Sequence, residues 1–263
     1  MKSHTYKYKL WNNKLGFTLL ELSIVLVIIG LIIGGSLVGR DLIKAAEIRS
    51  AISDIERIET SINSFKLKYN CLPGDCATAT SYFSGASNGN GNGKIGGFYN
   101  IDTTEMWQFW YHLAQANMWS GKFSGTTDNT TCSPAIYRHS IVGVNVPASR
   151  MGDTIGYTVV YWGGYTDAND WLSPSGMRTI KNHAILFGTS DHNKCETYAP
   201  ALTTTDALSM DSKVDDSKPG TGKLMHMAPI IYPNCATTTN PATAIYNIAN
   251  TGINCGFIIK AGF

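Results

Sequence analysis

The chain has 263 residues and a formal net charge of +2, with 21 Lys and Arg against 19 Asp and Glu. That near balance leaves no charge footprint for non-specific nucleic-acid binding. Four of the lysines (Lys2, Lys7, Lys9, Lys14) lie in residues 1–16, which hold no acid, so the remainder is slightly acidic, with 17 basic against 19 acidic residues.

From Phe17 to Val38 there are 22 residues with Glu21 as the only charge. At about 1.5 Å per residue a helix of that length covers roughly 33 Å, enough to cross a bilayer. The basic segment before it predicts a cytoplasmic start, with everything beyond the apolar run facing outward. An ionised Glu inside such a helix costs on the order of 2.5 to 3.5 kcal/mol, so its presence calls for a cationic partner. A secretory signal peptide fits poorly, because its apolar core is shorter and is followed by a small-residue cleavage site, whereas here Gly16 precedes the run. A plain membrane anchor with Glu21 reaching to the interface is the simpler alternative.

The stretch Lys14 to Gly30, with Gly-Phe-Thr-Leu-Leu-Glu-Leu at its centre, resembles the type IV pilin and type II secretion pseudopilin superfamily. The resemblance implies that a prepilin peptidase cuts between Gly16 and Phe17 and that the new Phe17 amine is N-methylated. It implies further that Glu21 pairs with that amine on a neighbouring subunit and so sets the register between packed helices. Partners implied are the peptidase, other pilin or pseudopilin subunits, an inner-membrane assembly platform and the membrane itself. The expected location is a single-pass inner-membrane protein with a periplasmic head, then a periplasmic or cell-surface filament. Val38 stands where many major subunits of the family carry Pro, which leaves major and minor roles open.

Beyond the apolar run, Ile48, Ile52, Ile55, Ile58, Ile62, Phe65 and Tyr69 recur at spacings of three and four, the stripe of an amphipathic helix. One helix from Phe17 to about Tyr69 would be roughly 80 Å long. Pro73 and Gly74 are expected to stop it. Gly30/Gly34 and Gly35/Gly39 are small-xxx-small pairs that allow close helix approach. The expected organisation is therefore a leader (1–16) that is removed, a transmembrane and stem helix (17–69) and a head (70–263).

The head is large enough for its own core. Its Gly, Thr, Asn, Tyr and Trp content suits a β-rich domain with long loops, making the whole an α+β fold. Cys71, Cys76, Cys132, Cys195, Cys235 and Cys255 all fall in it, an even number read as three disulfides in an oxidising compartment. Fifteen pairings are open. The Leu72–Asp75 turn favours Cys71 with Cys76, Cys235 with Cys255 would tie the last two strands, and Cys132 with Cys195 remains by elimination. Residues 103–119 read as a short helix whose apolar face includes Met106, Trp110 and Leu113, a core face in preference to a ligand site at Trp107, Trp110 or Trp119. Strand character marks 155–162, 182–188, 224–232 and 256–260.

Two loops have oxygen-rich spacing. Residues 88–95 (Asn-Gly-Asn-Gly-Asn-Gly-Lys-Ile) imitate the first half of an EF-hand loop, but Tyr99 stands where the closing acid belongs. Residues 202–222 are similar to an Asp-rich loop in pseudopilin-like heads, some of which bind calcium, and this similarity makes Asp211, Asp215 and Asp216 the candidate ligands. Ser217 replaces a Gly of that pattern, and Lys213 and Lys218 would brace the acids if no ion is bound. No nucleophile elbow, zinc-protease motif or phosphate loop occurs, so an enzyme is not expected. The resemblance implies a filament-forming subunit of a type II secretion pseudopilus or type IV pilus. The alternative is a minor tip subunit whose head binds a secreted substrate, a surface or DNA.

Overall fold

The computed structural model describes residues 16–96, 104–126, 131–132, 137–138, 140–161, 182–190, 197–226 and 232–263. The chain divides into two compact units between Ala45 and Ala46. Helix α1 (Leu19–Tyr69) contributes to both.

In the first unit, none of residues 16–45 is buried. Leu19 is 87% exposed and Leu31 72%, so the helix carries an uncovered apolar surface. The absence of proline from 17 to 69 lets the i to i−4 ladder run unbroken. Helix α1 ends where Asn70 turns left-handed (φ 54°), its amide donating to Lys66 O at 2.9 Å. Asn is one of the few residues that enters this region readily.

In the second unit Ile48, Ile55, Ile58, Ile62 and Phe65 of the predicted stripe are buried in one core together with Ala51, while Ile52 and Tyr69 of the stripe are partly buried against it. Helix α2 (Thr104–Gln115) adds Met106, Trp107, Phe109, Trp110 and Leu113. Trp119 is buried as well, and the Arg57 guanidinium of α1 stands 4.2 Å from its ring centroid. The tryptophans thus serve packing, where each large apolar side chain contributes about 1.5–3 kcal/mol.

The main sheet is antiparallel, in the order β3 (Ala148–Ser149), β4 (Gly152–Tyr161), β5 (His183–Ser190), β10 (Phe257–Lys260), β8 (Leu224–His226). Tyr157 faces Phe187 across β4 and β5, and Ile258 lies between Leu186 and Met225. Strand β6 (Thr197–Ala199) pairs with the end of β5. Two small pairs complete the described strands: β1 (Thr131–Cys132) with β2 (Tyr137–Arg138), and β7 (Leu202–Thr203) with β9 (Ile253–Cys255). The architecture is α+β, a long N-terminal helix followed by a β-rich region. Both β4 and β5 are buried along most of their length, as their near-continuous apolar runs require.

Disulfides join Cys71 to Cys76 and Cys235 to Cys255, each with Cα atoms 5.1 Å apart. The expected Cys132–Cys195 pairing needs Cys195, which lies outside the described residues, as does Tyr99.

Candidate functional site

Among the described residues, two places are candidates for functional chemistry: the start of α1 and the acidic turn after α3 (Thr204–Val214).

At the start of α1, Thr18 and Glu21 satisfy each other. The Thr18 amide and hydroxyl donate to Glu21 Oε2 at 2.8 and 2.9 Å, and the Glu21 amide donates to Thr18 Oγ1 at 3.2 Å. This is a capping box, worth about 0.5–2 kcal/mol to the helix start. The Thr-x-x-Glu spacing announces it, and a reading that treats Glu21 only as a buried charge overlooks it. Both side-chain bonds fall on one carboxylate oxygen, so the local partner does not use the whole group. Farther along, a Cβ placed on Gly30, Gly34, Gly35 or Gly39 would meet nothing within 4 Å. Nothing among the described residues demands glycine at these positions.

Helix α3 is capped by Thr203, whose Oγ1 accepts from the Asp206 amide at 3.2 Å. Its last turn brings in Asp211, its C-cap is Asp215, and Asp216 follows. One ligand atom from each of the three lies within 4.8 Å of the others. Asp211 is fully buried. Its Oδ2 accepts from the Tyr246 hydroxyl at 2.7 Å, while its buried Oδ1 has no hydrogen-bond partner. Burial, with the like charges of Asp216 and Asp215, pushes this carboxyl up to about 6 against the pull of Tyr246. Asp215 Oδ2 accepts from the amides of Lys223 and Leu224, and Asp216 accepts from the Lys218 amide at 3.0 Å and Thr221 Oγ1 at 2.5 Å. Lys213 does not brace the acids: its ammonium donates to Ser209 O and Oγ at 2.8 and 2.7 Å. Ser217 has φ 63°, so the position that replaces glycine keeps a glycine-like backbone. A hard divalent cation fits this set, since oxygen donors converge and one of them is buried without a partner.

The Asn/Gly loop behaves differently from a cation loop. Every backbone amide from Gly89 to Gly96 donates inward. Gly89 N reaches Cys76 O and Gly91 N reaches Asp75 O, both at 3.0 Å. Asn92 N and Gly93 N reach the Asp75 carboxylate at 3.1 and 2.7 Å. Asn90 N and Gly96 N take the two Glu105 oxygens at 2.9 and 2.8 Å, Lys94 N takes Asn92 Oδ1 at 2.8 Å, and Ile95 N takes His183 Nε2 at 3.1 Å. Asp75 and Glu105 are only 2% and 3% exposed. The loop is thus organised by two buried carboxylates at a distance in sequence, and the side-chain oxygens of Asn88, Asn90 and Asn92 accept from the amides of Thr80, Asn92 and Lys94.

Residues 11–37 match the family model for the prokaryotic N-terminal methylation motif. No curated protein and no solved structure matches the chain. The match covers the leader junction, the capping box and most of the apolar run, and among the described residues α1 is the helix long and apolar enough to cross a membrane. That motif at the head of that helix supports the type IV pilin and pseudopilin family for the N-terminal segment of the chain.

Proposed function

We propose that a prepilin peptidase cuts this pilin-like subunit between Gly16 and Phe17, that the new Phe17 amine is methylated, and that α1 then packs into a filament. The filament is a type II secretion pseudopilus or a type IV pilus, built at an inner-membrane platform with the head in the periplasm. The observation that carries the reading is the bare apolar surface of residues 17–38 around a single carboxylate, Glu21, whose partner among the described residues is a local cap. Cutting at Gly16 creates the one cation the motif itself supplies, four residues before Glu21, and helices shifted by one turn bring the two together. The glycines at 30, 34, 35 and 39 then serve contacts with other helices. Intact-mass spectrometry of protein from the native host tests the processing step: the expected mass begins at methylated Phe17. A mass that begins at Met1 refutes it.

A second reading, a minor tip subunit whose head engages a secreted substrate, a surface or DNA, is favoured by the large head and by Val38 in the place of Pro. We also propose that Asp211, Asp215 and Asp216 hold calcium. The buried, unpartnered Asp211 Oδ1 supports it, and the charge repulsion of three converging acids would be relieved by the ion. Binding would fix the turn from which Lys223 reaches Glu59 of α1 at 3.0 Å.

A further inference from the structure

Residues 88–93 are three consecutive Asn-Gly dipeptides. Asparagine is thermolabile, and Asn-Gly is its most reactive setting, because the following nitrogen has no neighbouring Cβ to shield it. In that reaction the deprotonated glycine nitrogen attacks the asparagine Cγ. A nitrogen–carbon bond forms, the bond from Cγ to the side-chain nitrogen breaks, and ammonia leaves behind a cyclic imide. Water then opens either imide carbonyl, giving aspartate or isoaspartate.

Each of the three nucleophiles is occupied in this fold. Gly89 N is held by Cys76 O, Gly91 N by Asp75 O and Gly93 N by Asp75 Oδ2. A carboxylate against an amide N–H also opposes the negative charge that attack requires. On the other side of the bond to be formed, Asn88, Asn90 and Asn92 are each held through Oδ1 to a backbone amide. The glycines are needed for the fold itself. A Cβ on Gly89 would lie 2.4 Å from Asp75 Cα, and Gly91 and Gly93 have φ of 72° and 78°. The loop accepts a reactive sequence because only glycine lets the backbone wrap this closely around Asp75.

We propose that Asn88, Asn90 and Asn92 form a latent deamidation site, held closed by the Asp75–Cys76 turn and opened, Asn92 first, when the Asp75 carboxylate is withdrawn. Conversion places a new carboxylate, or the extra backbone methylene of isoaspartate, against Asp75 and Glu105. A head that has opened is thereby marked and does not re-close in the same way.

The test is peptide mapping by mass spectrometry of the mature protein in detergent, incubated at mildly alkaline pH either native or unfolded in urea after reduction. Native protein should convert at all three asparagines roughly ten- to hundredfold more slowly than unfolded protein, matching the cost of breaking one hydrogen bond to a charged or buried acceptor. Asp75→Ala should raise the native rate at Asn92 by a similar factor. It should leave Asn88 slow, because Gly89 N is held by a backbone carbonyl that the variant keeps. Equal rates in native and unfolded wild type overturn the proposal. So does a natively folded Asp75→Ala protein in which Asn92 stays as slow as in wild type. If Asp75→Ala has lost its near-ultraviolet dichroism, the wild-type comparison decides alone.

Discussion

Acid should loosen the head through two histidines, and the size of the effect can be worked out from their surroundings. His112 Nδ1 accepts from the Gly74 amide at 2.9 Å, and Nε2 faces Ser87 O at 3.2 Å, which fixes the neutral tautomer with its proton on Nε2. His183 Nε2 accepts from Ile95 N at 3.1 Å. Burial pushes both imidazoles down from 6.5 to about 4, and at His183 the charge of Lys66 adds to the effect. Since the folded values are depressed, the unfolded chain binds more protons below the ordinary value, and stability is lost as pH falls from about 6.5 towards 4. At about 1.4 kcal/mol per pH unit, each histidine costs about 2 kcal/mol at pH 5, together a large share of a typical 5–15 kcal/mol. His226, also buried and depressed, acts with the same sign, whereas the carboxyls of Asp211, Asp54 and Asp75, raised by burial, act against it. Comparing wild type with His112→Gln cancels these shared contributions. Urea unfolding in detergent, followed by tryptophan fluorescence at pH 7 and pH 5, should show the acid loss shrinking by about 2 kcal/mol in the variant. An identical loss in both proteins would refute the argument.

Glu21→Leu should insert into membranes and be processed at Gly16 yet fail to enter sheared filaments, and Glu21→Gln should restore the cap but not assembly. Normal incorporation of Glu21→Leu, read by immunoblot of the sheared fraction, would remove the charge pair from the mechanism. Millimolar calcium should raise the melting temperature of wild type and leave Asp215→Ala unchanged, because an ion bound only to the folded state stabilises by mass action. Calorimetry with and without chelator reads this. Ser217→Gly should stabilise the head by about 1 kcal/mol by relieving a left-handed residue, measurable as a higher urea midpoint. Replacing Cys235 and Cys255 by Ser should cost about 2–4 kcal/mol, since their bond closes a 20-residue separation in the unfolded chain.

Local signals were legible where the chemistry is local. The 3.6-residue stripe of Ile48 to Phe65 foretells the buried face of α1, the apolar runs foretell β4, β5 and β10, and the leader junction with Glu21 foretells the family. The end of α1 is read at Tyr69, where it falls, although the residue that turns the chain there is Asn70 in the left-handed region, ahead of Pro73 and Gly74. The half EF-hand spacing of the Asn/Gly loop is visible in sequence, but its organisers, Asp75 and Glu105, stand outside it, and no spacing within 88–95 points to them. At the acidic turn the three aspartates are visible in sequence. Their strongest feature is not: the burial of Asp211 beneath Tyr246 joins residues 35 positions apart.

The position of β10 has a consequence for how the head is made. Residues 257–260 lie between β5 and β8, so the strand of the main sheet that comes latest in chain order is an interior one. Under the proposed export of the head, a chain that crosses the membrane in order from α1 delivers β4 and β5 while the neighbour that must cover one edge of β5 is still on the cytoplasmic side. The sheet therefore cannot close during transit, which keeps the polypeptide threadable through a narrow export pore. It also leaves β5 with an unpaired flank open to mispairing until β10 arrives. Maturation of the head is in this sense post-translocational, and a truncation that removes only residues 257–263 should leave β5 and β8 without the strand that joins them.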